Sequence, residues 1–379
     1  MIESWQQAVE DAARTAVPLA LRGGGTKHWL GQAEAGTPVE TGTWSGVVDY
    51  EPSELVITVR AGTPLAEVEH TLAEHGQVLA FEPPRFGAAS TIGGVVAAGL
   101  SGPRRIGYGA VSGALRESVL GLRLLDGRAR HLRFGGTVMK NVAGYDVSRL
   151  IAGSMGVLGL ITELSLKALP KPPLDQTLCF EASEIEAIER LNRWAGQPLP
   201  ISASAWRPSR AGDGSFRSDA DGSRLGMLTL RLSGSQPAVE SAIARLGGEQ
   251  LPAELAERSW TGLRDQTDEF FDTLLPVWRI GVPQTAAPLE LDGDTLIEWH
   301  GAQRFVIADL DADELRARLR PLGGHATAWR SRSDGSSAPA RQASAFTPLT
   351  PALMTIHRRL KAEFDPAGIF NRGRLYPDL

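Results

Sequence analysis

The sequence contains a single cysteine, Cys179, in 379 residues. One thiol cannot form a disulfide within the chain, and it cannot supply the several thiolates that an iron-sulfur cluster or a cysteine-built metal site requires. If the protein works with such a cluster, another polypeptide must therefore hold it.

An excess of positive charge is also missing, because the formal net charge is -5 at pH 7. Nucleic-acid binding relies on an excess of Lys and Arg that neutralises phosphates. The composition therefore excludes a nucleic-acid partner, and any cationic site must be local.

Long apolar runs are absent as well. The most apolar windows, Ile92 to Leu100 and Leu150 to Ile161, are too short and too rich in glycine to span a bilayer. The first residues, MIESWQQAVEDAA, carry acids and no basic region before an apolar core, which argues against a signal peptide. We therefore expect a cytoplasmic protein without a transmembrane segment, which reaches the inner face of the membrane only through partners.

Glycine, in contrast, is abundant and falls in blocks. The first block follows an apolar strand and consists of Arg22, Gly23, Gly24, Gly25, Thr26 and Lys27. Its spacing is neither that of a Walker A loop nor that of the Rossmann fingerprint. A strand that ends in three glycines exposes several backbone N–H groups in a small concavity, which suits a pyrophosphate. A glycine-rich hairpin turn is the alternative interpretation.

The second and third blocks also favour close approach of the backbone to a large, flat group. Residues Ser90 to Gly99 are small or apolar and carry no charge, which suits burial against an aromatic ring system or a close-packed helix. Gly153 and Gly156 come just before an apolar strand predicted from Leu158 to Leu169, and Gly159 lies at its start. The third block predicts either a wall of a cofactor site or a tight helix-to-strand turn in an α+β core.

A predicted β-hairpin argues against the usual dinucleotide fold. Residues Val119 to Leu125 and Ala129 to Phe134 form two β-type runs around an Asp126-Gly127 turn. The Rossmann fold alternates parallel strands with helices. The hairpin therefore weakens the interpretation of the chain as an NAD enzyme.

The length of the chain predicts two domains. Paired prolines after Lys171 mark a boundary, because they favour an extended linker. We predict one domain over residues 1–171 and a compact α+β substrate or cap domain over 172–338.

The glycine blocks together resemble the FAD-binding flavoproteins of the vanillyl-alcohol-oxidase, or PCMH, type. The resemblance is carried by RGGGTKHWLG at 22–31, by the stretch 90–128 and by GSMGVLGLITELSLKALP at 153–170. Within this type, KNVAGYDVSRLIAGSMGVLGLITE at 140–163 is similar to the family of FAD-binding E subunits of bacterial glycolate oxidases.

This resemblance implies an α+β fold, with a two-lobed PCMH-type FAD-binding domain followed by a smaller α+β domain that has an antiparallel sheet. It implies FAD as the cofactor, and it implies that a C-terminal segment, 339–379, returns to the first domain, where its helix and Phe-Asp-Pro turn lie beside the flavin. Covalent members of the wider family place a histidine inside the first glycine loop, whereas Thr26 follows the glycines here, so we expect non-covalent FAD. The residues at matching positions are Arg22, Gly23, Gly24, Gly25, Thr26, Lys27, Thr91, Ile92, Gly93, Gly94, Ala97, Tyr108, Gly109 and Ile161.

The resemblance also implies a glycolate oxidase complex that oxidises glycolate to glyoxylate. The partners would be the main flavoprotein subunit and an iron-sulfur subunit, and the substrate a small 2-hydroxy acid. This chain lacks the His-x-Gly-Asp-Gly-Asn-type segment that the main subunit and D-lactate dehydrogenases carry. Two alternatives therefore stay open, namely a self-sufficient FAD-dependent 2-hydroxy-acid dehydrogenase of the D-lactate type and a non-catalytic assembly subunit.

Oxidation of a 2-hydroxy acid needs a guanidinium for the carboxylate and a base for the hydroxyl proton. Arg279, in a strand-like run, is the candidate guanidinium, although a solvated strand arginine is the alternative. His300 and His325 are candidate bases, although lone histidines are more often structural or exposed. No metal site is predicted.

Overall fold

The computed structural model describes residues 1–107, 112–137, 145–330 and 344–379. The chain divides into two compact units. The first comprises Met1–Ser101, Ala114–Lys171 and Pro348–Leu379, and the second comprises Gly102–Gly113 and Pro172–Thr347. Each unit is therefore built from separated pieces of the chain, and the domain limits at residues 171 and 338 stay a prediction.

The helices of the described residues are α1 Ile2–Thr15, α2 Leu65–Ala73, α3 Ile92–Ala98, α4 Leu115–Ser118, α5 Val147–Ile151, α6 Glu184–Ala195, α7 Gln236–Leu246, α8 Ala253–Asp265, α9 Ala312–Leu319 and α10 Pro351–Phe364. The strands are β1 Leu19–Arg22, β2 Thr37–Glu40, β3 Val47–Glu51, β4 Val56–Arg60, β5 Gln77–Leu79, β6 Val119–Leu125, β7 His131–Gly135, β8 Leu160–Pro170, β9 Leu174–Ser183, β10 Ile201–Pro208, β11 Leu225–Gly234, β12 Glu249–Leu251, β13 Val277–Gly281, β14 Asp294–Glu298, β15 Gln303–Ile307 and β16 His325–Arg330.

The first unit contains two separate sheets. Strands β1 and β2 pair in parallel. A larger sheet has the order β3-β4-β8-β6-β7, and β5 also pairs with β8. All pairs in the larger sheet are antiparallel, and β6 and β7 form the predicted hairpin. The predicted apolar strand is β8, at the centre of the sheet, so its assignment is confirmed.

Helices α2 and α3 cover the larger sheet with apolar side chains. Leu65, Val68 and Leu72 of α2 are fully or almost fully buried against sheet residues such as Leu164 and Leu166. Burying a side chain of this size stabilises the fold by about 1.5 to 3 kcal/mol. The same core contains Ile92 of the second glycine block and Val157 of the third, and it therefore fixes the backbone of these two blocks.

The second unit is organised around an eight-stranded antiparallel sheet. Its order is β12-β9-β11-β10-β14-β15-β13-β16, which confirms the predicted antiparallel arrangement. Successive side chains of a strand point to opposite faces of a sheet. In β13, Trp278 and Ile280 are buried with Leu315 and Leu319 of α9. Arg279 therefore lies on the opposite face.

In the described part of the chain, every helix is too short or too polar to span a lipid bilayer.

Candidate functional site

A cleft of about 860 Å³ lies within the first unit. The structure brings together eleven of the fourteen residues predicted to contact FAD, namely Arg22, Gly23, Gly24, Gly25, Thr26, Lys27, Thr91, Gly93, Gly94, Ala97 and Ile161. Their contacts with the cofactor stay a prediction.

The loop after β1 offers its backbone to the cleft. Within the described residues, the N–H groups of Gly23, Gly24, Gly25 and Thr26 donate to no protein acceptor. Adjacent N–H groups of this kind form a concavity that binds anions such as phosphate. The loop therefore has the donors that a pyrophosphate requires.

Tight packing explains why the first two glycines of this loop cannot carry a side chain. A Cβ at Gly24 would lie 1.5 Å from the carbonyl oxygen of Ala89, and a Cβ at Gly23 would lie 2.3 Å from Oγ1 of Thr91. Gly25 has φ +67°, which favours glycine, and a Cβ there would meet no atom within 4 Å. The loop is thus pressed against the protein on one side and open on the other.

The second glycine block packs as closely as the first. Thr91 begins α3, and its Oγ1 accepts a hydrogen bond from the Gly94 N–H at 3.3 Å. A Cβ at Gly93 would lie 2.7 Å from the carbonyl oxygen of Ala61. Ile92 is fully buried, with its side chain in the hydrophobic core. The cleft is therefore lined by the small residues of α3, while the side chain of Ile92 packs this helix against the hydrophobic core.

The third glycine block forms another part of the wall. Gly156 and Gly159 line the cleft together with Ile161 of β8. Both glycines have positive φ, +75° and +151°. The interpretation of this block as a cofactor wall and its interpretation as a turn before a strand are therefore compatible. Tyr108 and Gly109 lie outside the described residues.

Two cations at the cleft are held by neighbours. Lys27 donates from Nζ to Ser90 Oγ at 2.8 Å and to Thr26 Oγ1 at 3.1 Å. The Nε of Arg22 donates to the Glu34 carboxylate at 2.8 Å. These contacts fix positive charge beside the glycine loop, where it can attract an anionic ligand.

Sequence reasoning missed two residues of the C-terminal segment that line the cleft, Asn371 and Arg374. The Oδ1 of Asn371 accepts the N–H of Leu21 at 2.7 Å, and its Nδ2 donates to the carbonyl of Met155 at 2.7 Å. Arg374 donates to the carbonyl of His28 at 2.7 Å. The resemblance placed this segment beside the flavin, but the local sequence gave no signal for these two side chains.

These features fit FAD. The unpaired N–H groups of the first loop suit its diphosphate, and the glycine-lined walls let a flat ring system lie against the backbone. His28 also lines the cleft, with Nδ1 2.8 Å from the carbonyl oxygen of Gly25. We keep non-covalent attachment as a prediction.

A second cavity, of about 800 Å³, lies within the second unit and contains Arg279. Its polar lining residues are Arg105, Arg279, Gln303, His325 and Thr327. Arg279 thus lines a cavity, as a ligand-binding arginine would, which does not agree with the alternative of a freely solvated arginine on a strand. Its catalytic role stays a prediction.

Burial and neighbouring charges change the pKa values of two side chains that line this cavity. Desolvation lowers the pKa of Arg279 to about 10, opposed by the Glu298 carboxylate and assisted by Arg105. Desolvation, with a smaller effect from Arg279, lowers the pKa of His325. Arg279 therefore remains charged at neutral pH, and His325 is neutral there.

His300 does not line this cavity. It is buried, and desolvation lowers its pKa to about 4. In the described part of the chain its Nε2 has no hydrogen-bond partner. His300 is therefore a neutral structural residue of the second unit, while His325 is the histidine that shares the cavity with Arg279.

Comparison with known proteins identifies the class of this fold and cleft. Residues 2–148 match the family model of an FAD binding domain. The structure of an alkyldihydroxyacetonephosphate synthase superposes with a TM-score of 0.64 at 16% identity, covering 97% of this chain and 74% of that one. The protein is thus a PCMH-type FAD-binding flavoprotein with an α+β fold, and its cofactor is FAD, as predicted.

Proteins whose sequences are more similar to this chain identify a narrower family within this class. Glycolate oxidase subunit GlcE of Escherichia coli K12 is 40% identical over 379 residues, which cover 100% of this chain and 97% of that protein. Glycolate oxidase subunit GlcD of Bacillus subtilis is 32% identical over 45% of this chain and 36% of its own length. A D-lactate dehydrogenase of Archaeoglobus fulgidus is 28% identical over 42% of this chain and 35% of its own length. The chain belongs to the family of FAD-dependent oxidoreductases that includes GlcE, which confirms the predicted resemblance.

Proposed function

We propose that this protein is the FAD-binding subunit of a glycolate oxidase complex, which oxidises glycolate to glyoxylate. The observation that carries the proposal is the 40% identity to GlcE over the whole chain. The N–H groups of the first glycine loop, which donate to no acceptor in the described part of the chain, support it independently, because they suit a cofactor diphosphate.

Conversion of glycolate to glyoxylate removes two electrons and two protons from the substrate. Bound FAD supplies a two-electron acceptor. The chain has one cysteine and cannot build an iron-sulfur cluster from its own thiolates. We therefore propose that the electrons pass to an iron-sulfur partner subunit, beside the main flavoprotein subunit of the complex.

On the substrate side, Arg279 is the proposed ligand of the carboxylate, since a guanidinium can hold a carboxylate through two parallel hydrogen bonds. His325 lines the same cavity, and its lowered pKa keeps the imidazole able to accept a proton at neutral pH. We propose His325 as the base for the hydroxyl proton.

A self-sufficient 2-hydroxy-acid dehydrogenase of the D-lactate type is the second candidate. The partial similarity to a D-lactate dehydrogenase favours it. That similarity covers less than half of this chain, whereas the similarity to GlcE covers all of it. The complex subunit is therefore the better-supported function.

The test is the visible absorption spectrum of the purified chain alone, recorded anaerobically before and after addition of glycolate, and again after addition of the partner subunits. Bleaching of the flavin only with the partners present is the expected result. Bleaching by the chain alone would favour the self-sufficient dehydrogenase. A chain purified without FAD, and unable to bind added FAD, would instead indicate an assembly subunit.

A further inference from the structure

The cavity of the second unit is lined by two guanidinium groups, those of Arg105 and Arg279, and by the indole of Trp299. We infer that Arg105 and Arg279 together bind the carboxylate of a small organic acid, and that Trp299 is the residue that positions them. The identity of the acid as a 2-hydroxy acid rests on the proposed function, while the anion site itself rests on the geometry of the second unit.

Arg279 is held between two aromatic faces. Its guanidinium carbon lies 5.2 Å from the ring centre of Trp299 and 4.9 Å from that of Trp329. Stacking of this kind stabilises a guanidinium and leaves its in-plane N–H groups available for an anion. The aromatic pair therefore fixes the plane in which Arg279 can donate.

Hydrogen bonds fix the rotation of Arg279 within that plane. Its Nε donates to Gln303 Oε1 at 2.6 Å, and the amide of Gln303 in turn donates to Glu298 at 2.9 Å. Across residues 1–107, 112–137, 145–330 and 344–379, Gln303 is the one hydrogen-bond partner of Arg279. Its terminal nitrogens, which match the two oxygens of a carboxylate, are thus left for a ligand.

Arg105 reaches the same cavity from a distant part of the sequence. Its guanidinium carbon lies 5.7 Å from the ring centre of Trp299. The indole N–H of Trp299 donates to the carbonyl of Gly102 at 3.1 Å, three residues before Arg105. The Trp299 ring therefore contacts both arginines and is also tied to the segment that carries Arg105.

The two arginines repel each other in this cavity. Desolvation is the largest cause of the lowered pKa of Arg279, the Glu298 carboxylate opposes it, and Arg105 lowers the pKa by a smaller amount, as expected for like charges in a partly desolvated space. An anion between or beside the guanidinium groups would relieve the repulsion. Since desolvation is the largest cause of the lowered pKa of Arg279, a ligand carboxylate would also stabilise the charged form of this guanidinium.

The backbone that carries Trp299 is strained. Trp299 and His300 have φ of +53° and +56°, and Gly301 follows with +98°. Left-handed backbone in two successive residues other than glycine is costly and persists only where the surroundings enforce it. Arg304, which is fully buried, enforces it by donating to the carbonyls of Gly301 and Ala287. The strained turn places the indole against both arginines.

The closing experiment measures oxalate binding to the purified, full-length, FAD-loaded protein by isothermal titration calorimetry. Oxalate is a two-carbon carboxylate without a hydrogen to lose, so binding is separated from turnover. We expect Arg105→Gln and Arg279→Lys each to raise Kd about tenfold or more, because a lysine cannot reproduce the planar fork. The matched control is Arg210→Gln, since Arg210 also stacks on an aromatic ring, 4.4 Å from Phe216, but does not line the cavity.

The role of Trp299 is tested by rescue. Trp299→Leu should weaken oxalate binding, and Trp299→Phe, which restores an aromatic face, should recover most of it. Retention of FAD reports whether the first unit of each variant is folded, and tryptophan fluorescence reports on the second unit, which contains Trp299. A Trp299→Phe variant that binds oxalate as poorly as Trp299→Leu would contradict positioning through the aromatic face.

A measurement on the wild-type protein keeps the inference testable if variants fail to fold. Oxalate should raise Tm, whereas chloride at equal ionic strength should not. Absence of both heat and Tm shift with oxalate would overturn the anion site. If glycolate bleaches the flavin with equal KM in wild type and Arg105→Gln, the proposed function stands and this inference fails. If Arg105→Gln loses oxalate binding but glycolate does not bleach the flavin of the wild-type protein even when the partners are present, this inference is supported and the proposed function is contradicted.

Discussion

The two units present ligand sites of opposite construction. In the first unit, the cleft takes its donors from the backbone of consecutive residues, Gly23 to Thr26. In the second unit, the cavity takes its charges from side chains far apart in the sequence, Arg105 and Arg279. The first kind of site requires glycine, which is visible in a sequence, while the second requires a sheet to bring ordinary residues together.

Charge is handled differently in the two sites as well. Lys27 is hydrogen-bonded to the hydroxyl groups of Ser90 and Thr26. Arg279 is instead stacked between indole rings and donates a hydrogen bond to Gln303. The comparison suggests that the first site positions a ligand mainly through the backbone and the second mainly through guanidinium groups. Four substitutions sharpen this difference.

The largest effect is expected at Gly24. In Gly24→Ala the new Cβ would lie 1.5 Å from the Ala89 carbonyl oxygen, so the loop must move and its N–H groups lose their arrangement. We expect almost complete loss of FAD, measured by the flavin absorbance per chain after gel filtration. The control is Gly42→Ala, where the Cβ meets no atom within 4 Å. FAD content equal in Gly24→Ala and wild type would refute the role of the loop.

The next effect concerns a buried ion pair that supports the cleft. Lys361 donates to Asp365 at 2.7 Å and to the carbonyl of Val157 at 2.7 Å, within the third glycine block. Lys361→Met leaves the Asp365 carboxylate buried without its cation, which costs about 3 to 5 kcal/mol. The measurement is urea unfolding followed by release of FAD.

The control for Lys361 is Arg358→Met on the same helix. Arg358 pairs with Asp378 at the surface, at 3.0 Å. Exposed pairs contribute about 1 kcal/mol or less. Equal midpoints for the two variants would show that the buried pair does not stabilise the first unit.

In the second unit we expect a pH effect from His300. Its folded pKa is about 4, below the ordinary value of 6.5, so the unfolded chain binds the proton first as pH falls. The contribution of His300 to the free energy of unfolding is fully present above about pH 6.5 and is lost as pH falls toward 4. This contribution amounts to about 3 kcal/mol.

Comparison of wild type with His300→Gln isolates this contribution. Tryptophan fluorescence during urea unfolding reports mainly on the second unit, which contains Trp194, Trp206, Trp260, Trp278, Trp299 and Trp329 of the nine tryptophans. The free energy of unfolding of the variant should fall less steeply between pH 6.5 and 4. If the free energies of unfolding of wild type and His300→Gln fall equally steeply with pH, His300 does not have the lowered pKa that its burial causes.

The smallest effect is expected at Asn371. Asn371→Ala removes hydrogen bonds to the Leu21 N–H and the Met155 carbonyl, which costs about 1 to 2 kcal/mol and should weaken FAD retention. In the second unit, Asn192 donates to the carbonyls of Ile188 and Gln284. Asn192→Ala is thus the matched control and should leave FAD content unchanged. Equal FAD loss in both variants would contradict a specific role of Asn371.

Much of the first site could be predicted because its requirements are local. Gly24 has no room for a side chain, Gly25 needs a positive φ, and β8 alternates as a strand on a sheet must. Ile92 shows the limit of such matching. It belongs to the same block as Thr91, but its side chain lies in the core, because neighbouring residues of a helix face different directions.

The remaining residues could not be predicted because their partners are remote. Leu21 and Asn371 are 350 positions apart, and no local pattern relates an asparagine near the C-terminal end of the chain to the end of β1. The same holds for Arg105 and Trp299. Of the residues that line the second cavity, Arg279 and His325 were candidates from the sequence, whereas Arg105 and Trp299 were not.

The sequence by itself determined the glycine loops and the β6–β7 hairpin, because backbone conformation and alternation are short-range properties of the chain, and its resemblance to known flavoproteins determined the FAD-binding class. The tertiary structure decided which side chains meet. It closed the cleft with Asn371 and Arg374, and it set Arg105 and Arg279 against Trp299. Such contacts depend on the register of paired strands and on the packing of separate segments, which are fixed only when the whole core forms.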